Sequence, residues 1–106
     1  MSLAVSHSPS LSLATDTGHM TLTASGSWTA AYAADLEKFV TDAESAIGQA
    51  PRVTIDLAGV GALDTLGTWL LERILRRAAE QGGEAQFAHL PERYGGIVEE
   101  LSLIHI

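Results

Sequence analysis

The chain has 106 residues, 46% of them hydrophobic, which is enough for one domain with a small core. Six Lys plus Arg against thirteen Asp plus Glu give a formal net charge of -7, so nucleic acid and anionic membrane surfaces are poor partners. The absence of cysteine excludes disulfides, thiol nucleophiles and zinc-thiolate sites and is compatible with a cytoplasmic location.

The first half of the chain predicts an arm, a hairpin and a helix. Residues 1–10 are rich in Ser and have no periodicity, which is typical of a flexible arm before a domain that spans residues 11–106. Between residues 11 and 24, apolar and polar residues alternate on either side of an Asp-Thr-Gly turn. This pattern predicts a β-hairpin that closes at Gly26. Apolar residues at helical spacing predict a helix over 30–47 that Ser27 or Thr29 caps and that Gly48 ends.

The second half predicts a strand, a helix, a strand and a last helix. Val53, Ile55 and Leu57 mark a short strand, after which a glycine-containing loop leads to a helix from Thr65 to about Gln81. A strand signal follows at residues 85–89, and Pro91 opens a final helix whose apolar side is Tyr94, Ile97, Val98 and Leu101. The order β-β-α-β-α-β-α predicts a single α/β domain with a four-stranded mixed sheet and helices packed on one side.

Enzyme and metal signatures are mostly missing. Gly59-Val60-Gly61 lacks the third glycine of a dinucleotide loop, and no Gly-x-Ser-x-Gly elbow occurs. The four histidines show no metal-ligand spacing. They are His7, His19, His89 and His105. We therefore expect neither catalysis nor a metal or cofactor, and no apolar run is long enough for direct membrane insertion.

The remaining chemistry lies at Asp64-Thr65, where the second long helix begins. A carboxylate and a hydroxyl at a helix N-terminus can cap free N–H groups, and a phosphate attached there would also be stabilised. The simpler interpretation is that Asp64 or Thr65 is only an N-cap. At 100° per residue, Trp69 falls on the outward stripe together with four charged residues. These are Glu72, Arg73, Arg76 and Glu80, whereas the core side holds Gly67, Leu70, Leu71, Ile74 and Ala78. An exposed Trp beside Arg is typical of a protein-binding hot spot, the alternative being a Trp folded against its own surface.

These residues resemble the central signature of the STAS family, the sulfate-transporter and anti-sigma-factor-antagonist domain. The matching segments are Val53-Thr54-Ile55-Asp56-Leu57 and Ala62-Leu63-Asp64-Thr65-Leu66-Gly67, within a strand order that agrees from about residue 11 to 103. In that family, Asp-Ser/Thr-x-Gly opens a helix after the central strand. The resemblance therefore implies a STAS-like mixed sheet with helices on one side and a motif loop that includes Asp56, Gly61 and Gly67.

The resemblance implies one of two functions. In anti-sigma-factor antagonists, the hydroxyl residue that corresponds to Thr65 is phosphorylated by a partner kinase, and this abolishes partner binding. In phospholipid-trafficking ABC transporters of the Mla type, a STAS subunit or fused domain docks on the cytoplasmic side of the permease. Thr65 in place of the commoner Ser, and Leu66 in place of a small residue, favour the transporter branch. The apolar ending at 101–106 would suit a domain cut from a following permease, although regulators also have apolar ends.

Our sequence-based hypothesis is thus a non-catalytic interaction domain at the inner face of the membrane, with a permease subunit as its partner. The alternative is a phospho-switch with an anti-sigma factor or kinase as partner and Thr65 as phosphoacceptor. In either case, we expect the partner-binding residues to be Asp64, Thr65, Leu66, Thr68, Trp69, Arg73 and Arg76.

Overall fold

The computed structural model describes residues 8–98 as a four-stranded sheet covered by helices. The strands are β1 (Ser10–Asp16), β2 (His19–Trp28), β3 (Arg52–Leu63) and β4 (Glu84–Ala88). The helices are α1 (Ala33–Ile47), preceded by a 3-10 turn at Ala30–Tyr32, and α2 (Thr65–Glu80). A second 3-10 turn at Glu92–Tyr94 leads into helix at 95–98, where the description ends.

The sheet is mixed and its spatial order follows the chain. β1 pairs antiparallel with β2, whereas β2, β3 and β4 run parallel to one another. Thr17 and Gly18 form the two-residue hairpin turn, both with positive φ (43° and 82°), as a turn that matches the strand twist requires. The predicted mixed α/β architecture is confirmed.

The core lies between the sheet and the two long helices. Leu22 and Ile55 on the sheet and Leu36, Val40 and Ile74 on the helices are almost fully buried. On α1 the buried positions recur at helical spacing, so the amphipathic pattern of the sequence places this helix on the sheet. Each such aliphatic side chain contributes roughly 1.5–3 kcal/mol through burial.

Several predicted boundaries are wrong for a common reason, which is pairing across the sheet. β2 does not close at Gly26 but continues to Trp28, because Gly26, Ser27 and Trp28 all remain paired with β3. The predicted loop after Leu57 is strand as well, since β3 follows β2 to Leu63. Between the first pair, His19 with Arg52, and the last pair, Trp28 with Leu63, β3 contains two more residues than β2. The additional residues lie at two register shifts.

The start of α1 also differs from the prediction. Residues 30–32 form a 3-10 turn, and neither Ser27 nor Thr29 caps it, because Ser27 is part of β2 and the Thr29 side chain makes no cap bond. The backbone N–H of Ala30 donates instead to Asp64, 34 positions further along the chain.

Of the predicted arm, residues 1–7 lie outside the described part of the chain, and so does Leu101 of the last helix. Pro9 is buried and Ser10 already belongs to β1. Pro91 precedes the second 3-10 turn, and Val98 packs into the core, as the apolar pattern of the last helix predicts.

Candidate functional site

Asp64 holds the start of α2. Its Oδ1 accepts a hydrogen bond from the backbone N–H of Gly67 at 2.9 Å, which is the N-cap bond the sequence predicts. Its Oδ2 accepts the N–H of Ala30 at 2.8 Å. One carboxylate therefore joins the first turn of α2 to the 3-10 turn that leads into α1. The simpler interpretation, in which Asp64 is only an N-cap, accounts for one of these two hydrogen bonds.

Gly67 allows α2 to approach β2 closely. A Cβ at this position would collide with the carbonyl group of Trp28. The backbone N–H of Asp64 donates to the same Trp28 carbonyl at 3.3 Å, so the end of β2 and the start of α2 are in direct contact. Gly67 is thus a packing requirement at the first turn of α2, and it lies on the helix and not in a loop.

Trp28 is the side chain under this contact. It is fully buried, and its Nε1 donates to the carbonyl of Ser25 at 3.0 Å. The sequence-based prediction gave this tryptophan no role, because the strand was expected to end at Gly26. The signal that could have identified it is that Trp28 continues the two-residue alternation of Met20, Leu22 and Ala24.

Thr65, Leu66 and Trp69 form what we call the helix-start surface. Thr65, the first residue of α2, is exposed, so its hydroxyl lies at a helix N-terminus and is accessible. Leu66 is partly buried against the core. Trp69, one turn further, is 50% exposed, as the helical wheel predicts. The surface combines a hydroxyl in the positive end of a helix dipole with an accessible aromatic ring.

Two predictions on α2 are corrected by burial. Thr68, expected to contact a partner, is fully buried, and its Oγ1 donates to the carbonyl of Asp64 at 2.9 Å. Glu72, expected on the outward stripe, is only 9% exposed. Both lie on the sides of α2 that neighbouring elements cover, which a single-helix projection cannot show.

Arg73 contacts α1, although its side chain is still 33% exposed. Its guanidinium donates to Glu44 through Nε and Nη2 (3.2 and 3.3 Å) and to Glu37 through Nη1 (2.9 Å), and Thr41 lies at the limit of hydrogen bonding (3.5 Å). Burial acts to lower the pKa of Arg73, but the two glutamates outweigh it and raise that pKa above its usual value. Arg73 thus also links α2 to α1, and its partner-binding role stays a prediction, whereas Arg76 is exposed.

Asp56 and Gly61 lie on β3 and not in a loop. Asp56 Oδ1 accepts the N–H of Ala58 at 2.9 Å and contacts Nδ1 of His89 at 3.1 Å. The Ala58 hydrogen bond is the main cause of a lowered pKa of Asp56, with burial opposing it and His89 adding to it. The carbonyl of Gly61 accepts from Arg93 (3.3 Å) and from the Tyr94 hydroxyl (3.1 Å). Both residues thus fasten the segment after β4 to the central strand.

The described residues contain no cluster of three or more His, Cys, Asp or Glu that could hold a metal ion. Two open depressions lie at the far end of the sheet, where His19, Arg52 and Glu84 line both. Neither of the depressions includes a residue of the helix-start surface. Within residues 8–98, no helix combines the length and apolar character needed to cross a membrane.

Solved structures share this fold. The crystal structure of an anti-sigma factor antagonist from Mycobacterium paratuberculosis matches with a TM-score of 0.71 at 20% identity, over 96% of this chain and 86% of that chain. The antisigma-factor antagonist STAS domain from Rhodobacter sphaeroides matches with a TM-score of 0.57 at 18% identity, over 77% of this chain and 85% of that chain. At these identities the likeness concerns the fold. No curated protein matches the chain.

A protein-family model described as "Mlab, STAS domain" matches residues 11–105, which is nearly the whole chain. The match includes the sheet except for Ser10, the first residue of β1, together with both long helices and the helix-start surface. It supports a regulatory or interaction role with protein partners and not a catalytic one. The chain belongs to the STAS domain family.

Proposed function

We propose that this STAS domain is a non-catalytic regulatory subunit or domain that docks on the cytoplasmic side of an ABC-type phospholipid-transport permease. The contact is the helix-start surface, extended along α2 by Arg76. The observation that carries the proposal is the half-exposed Trp69 one turn beyond an accessible Thr65 on a rigidly held helix start. The match to a family described as "Mlab, STAS domain" supports the transporter branch.

The physical argument is one of preorganisation. Asp64 and Gly67 fix the first turn of α2 against β2 and the start of α1, so a partner orders little of this backbone on binding. Tryptophan and arginine on such a rigid base are the residue types that dominate binding energy at protein interfaces. A surface of this kind can bind a partner without any chemistry of its own.

The test is co-expression of the chain with the permease and ATPase subunits of an ABC-type phospholipid transporter from the same genome, followed by co-purification in detergent. We expect the wild type to co-purify and Trp69→Ala to lose about 2 kcal/mol or more of binding free energy, the level of an interface hot spot. The pair Arg76→Gln and Arg77→Gln provides a matched control, because the two exposed arginines are adjacent but point about 100° apart on the helix. Equal losses for both arginines, or full binding by Trp69→Ala, would contradict the proposal.

A second function is favoured by the exposed Thr65 hydroxyl and by the fold shared with the two anti-sigma factor antagonists. In this alternative, the chain is a phospho-switch and a partner kinase modifies Thr65. Phosphorylation would add about -1.5 to -2 charges beside Asp64, whose carboxylate is already committed to two N–H groups, and would repel an acidic partner.

Intact mass after incubation with the kinase and ATP distinguishes the two functions. The phospho-switch requires one added phosphate on the wild type, and none on Thr65→Val, which keeps the shape of the side chain. A wild type that gains no phosphate but binds the permease supports the transporter function alone.

A further inference from the structure

The two edges of the sheet differ in how they are protected. β4, at one edge, is only five residues long and begins with Glu84, whose carboxylate pairs with Arg52 at 3.6 Å. The backbone after β4 turns away through His89 in the left-handed region (φ 58°). Short length, charge and a turn are the means by which proteins prevent strand addition at an edge.

Within residues 8–98, β1, at the other edge, is less protected, because it is longer and its one charged residue, Asp16, lies at the end of the strand. It is seven residues long and pairs with β2 in unbroken register, so no bulge bends it away. The segment 10–16 contains neither proline nor lysine, and its outer edge carries backbone N–H and C=O groups that β2 does not use. Leu13, at its centre, pairs with Leu22 of β2, and both side chains lie on the helix-covered face of the sheet. Leu13 is nevertheless 42% exposed.

β1 also carries little charge. The chain carries a net charge of -7, and the outward side of α1 bears several acids, but β1 has one charged residue, Asp16, at its very end. A second copy of this chain can therefore approach β1 with little local repulsion. A strand is also self-complementary under a two-fold axis, as an isologous dimer requires.

We propose that β1 is a homodimerisation edge, where the β1 strands of two copies pair antiparallel about a two-fold axis at Leu13. The pairing joins the two sheets into one of eight strands and covers Leu13 with its counterpart. It places the two Asp16 side chains at opposite ends, about 20 Å apart for six residues at about 3.4 Å each. That separation exceeds the screening length of about 8 Å at physiological salt.

This inference is independent of the permease function, because β1 and the helix-start surface lie on different elements. It also predicts the effect of salt. The paired β1 strands carry no charge other than the two distant Asp16 side chains, while each chain carries -7, so added salt reduces the overall repulsion and strengthens the dimer. An interface held by ion pairs would weaken instead.

Sedimentation equilibrium over a range of protein and salt concentrations tests the proposal. We expect a wild-type dimer that tightens with salt, and a dissociation constant at least about tenfold higher for Leu13→Lys, which sets two like charges against each other. Ala79→Lys, at an exposed position near the end of α2, is the control because it changes the net charge equally. A wild type that stays monomeric at millimolar concentration overturns the proposal, as does equal weakening by both lysines.

A cysteine substitution gives a second, structural readout. The natural chain has no cysteine, so Leu13→Cys introduces a single thiol. Opposed residues of antiparallel strands have Cα atoms about 4.5–5.5 Å apart, which is within disulfide range. We expect mild oxidation to convert Leu13→Cys to a covalent dimer much faster than Ala79→Cys, with equal rates counting against the pairing.

Discussion

The first turn of α2 and its middle are held by different means, although one outward stripe of the helix runs through both. At the start, backbone groups of β2 and of the segment before α1 contact Asp64 and Gly67 directly. At the middle, the flexible side chain of Arg73 reaches two glutamates of α1. The start of α2 is therefore fixed by backbone atoms that cannot move far, whereas its middle is held by long side chains that can move. A rigid helix start is suited to binding a partner.

The largest effect that would test this contrast is that of Gly67→Ala. The new Cβ collides with the Trp28 carbonyl, and backbone cannot yield as a side chain can, so we expect a loss of about 3 kcal/mol or more in the free energy of unfolding. Gly61→Ala is the matched control because no atom lies within 4 Å of its added Cβ. Urea denaturation of both variants provides the measurement, and equal stabilities would refute a rigid helix start.

Asp64→Ala is next in size. It removes one helix cap and one hydrogen bond between elements, for which we expect about 2 kcal/mol of destabilisation. It should also raise hydrogen exchange at the amides of both Ala30 and Gly67, because the carboxylate accepts from both. Protection lost at Gly67 alone would show that the bridge to Ala30 contributes nothing.

The Arg73 cluster should give a smaller effect. Partly exposed ion pairs contribute about 0.2–1 kcal/mol. In double-mutant cycles with alanine, we expect a larger coupling energy for Arg73 with Glu44 than with Glu37, because Glu44 is contacted by two nitrogens and its side chain is 23% exposed against 56%. Both couplings should shrink in high salt, whereas the cost of Gly67→Ala should not.

Substitution of Asp56 should have the smallest effect on stability, and it provides a comparison for Asp64. Both carboxylates accept a nearby backbone N–H, but the second contact of Asp56 is His89 and not another helix start. Because the folded-state pKa of Asp56 is lowered, its contribution is present above about pH 4 and is lost as the pH falls through the folded pKa. Denaturation curves between about pH 2 and 6 should show less acid destabilisation for Asp56→Asn than for the wild type. An unchanged pH dependence would contradict this assignment.

The fold, the Asp64 cap and the outward position of Trp69 could all be predicted from the sequence, and the reason is physical. Alternation, helical spacing and capping are local patterns, and each leaves a mark within a few residues. Helical spacing also places Arg73 on the side of α2 away from the core. It does not show whether solvent or another helix lies there, so the contacts of Arg73 with the glutamates of α1 could not be predicted. The length of β3 and the Ala30 bond of Asp64 depend on segments that are distant along the chain, and no local pattern carries that information.

The two additional residues of β3 relative to β2 have a consequence for where this chain tolerates changes in length. They fall between Asp56 and Leu63, just before Asp64. They therefore determine the position, relative to the end of β2, at which α2 begins. Deleting one of them would turn α2 by about 100° about its axis or pull Asp64 away from Ala30. Affinity tags and grafted peptides therefore belong in the Thr17-Gly18 turn, where the chain already reverses at the surface, and not in the segment 58–61.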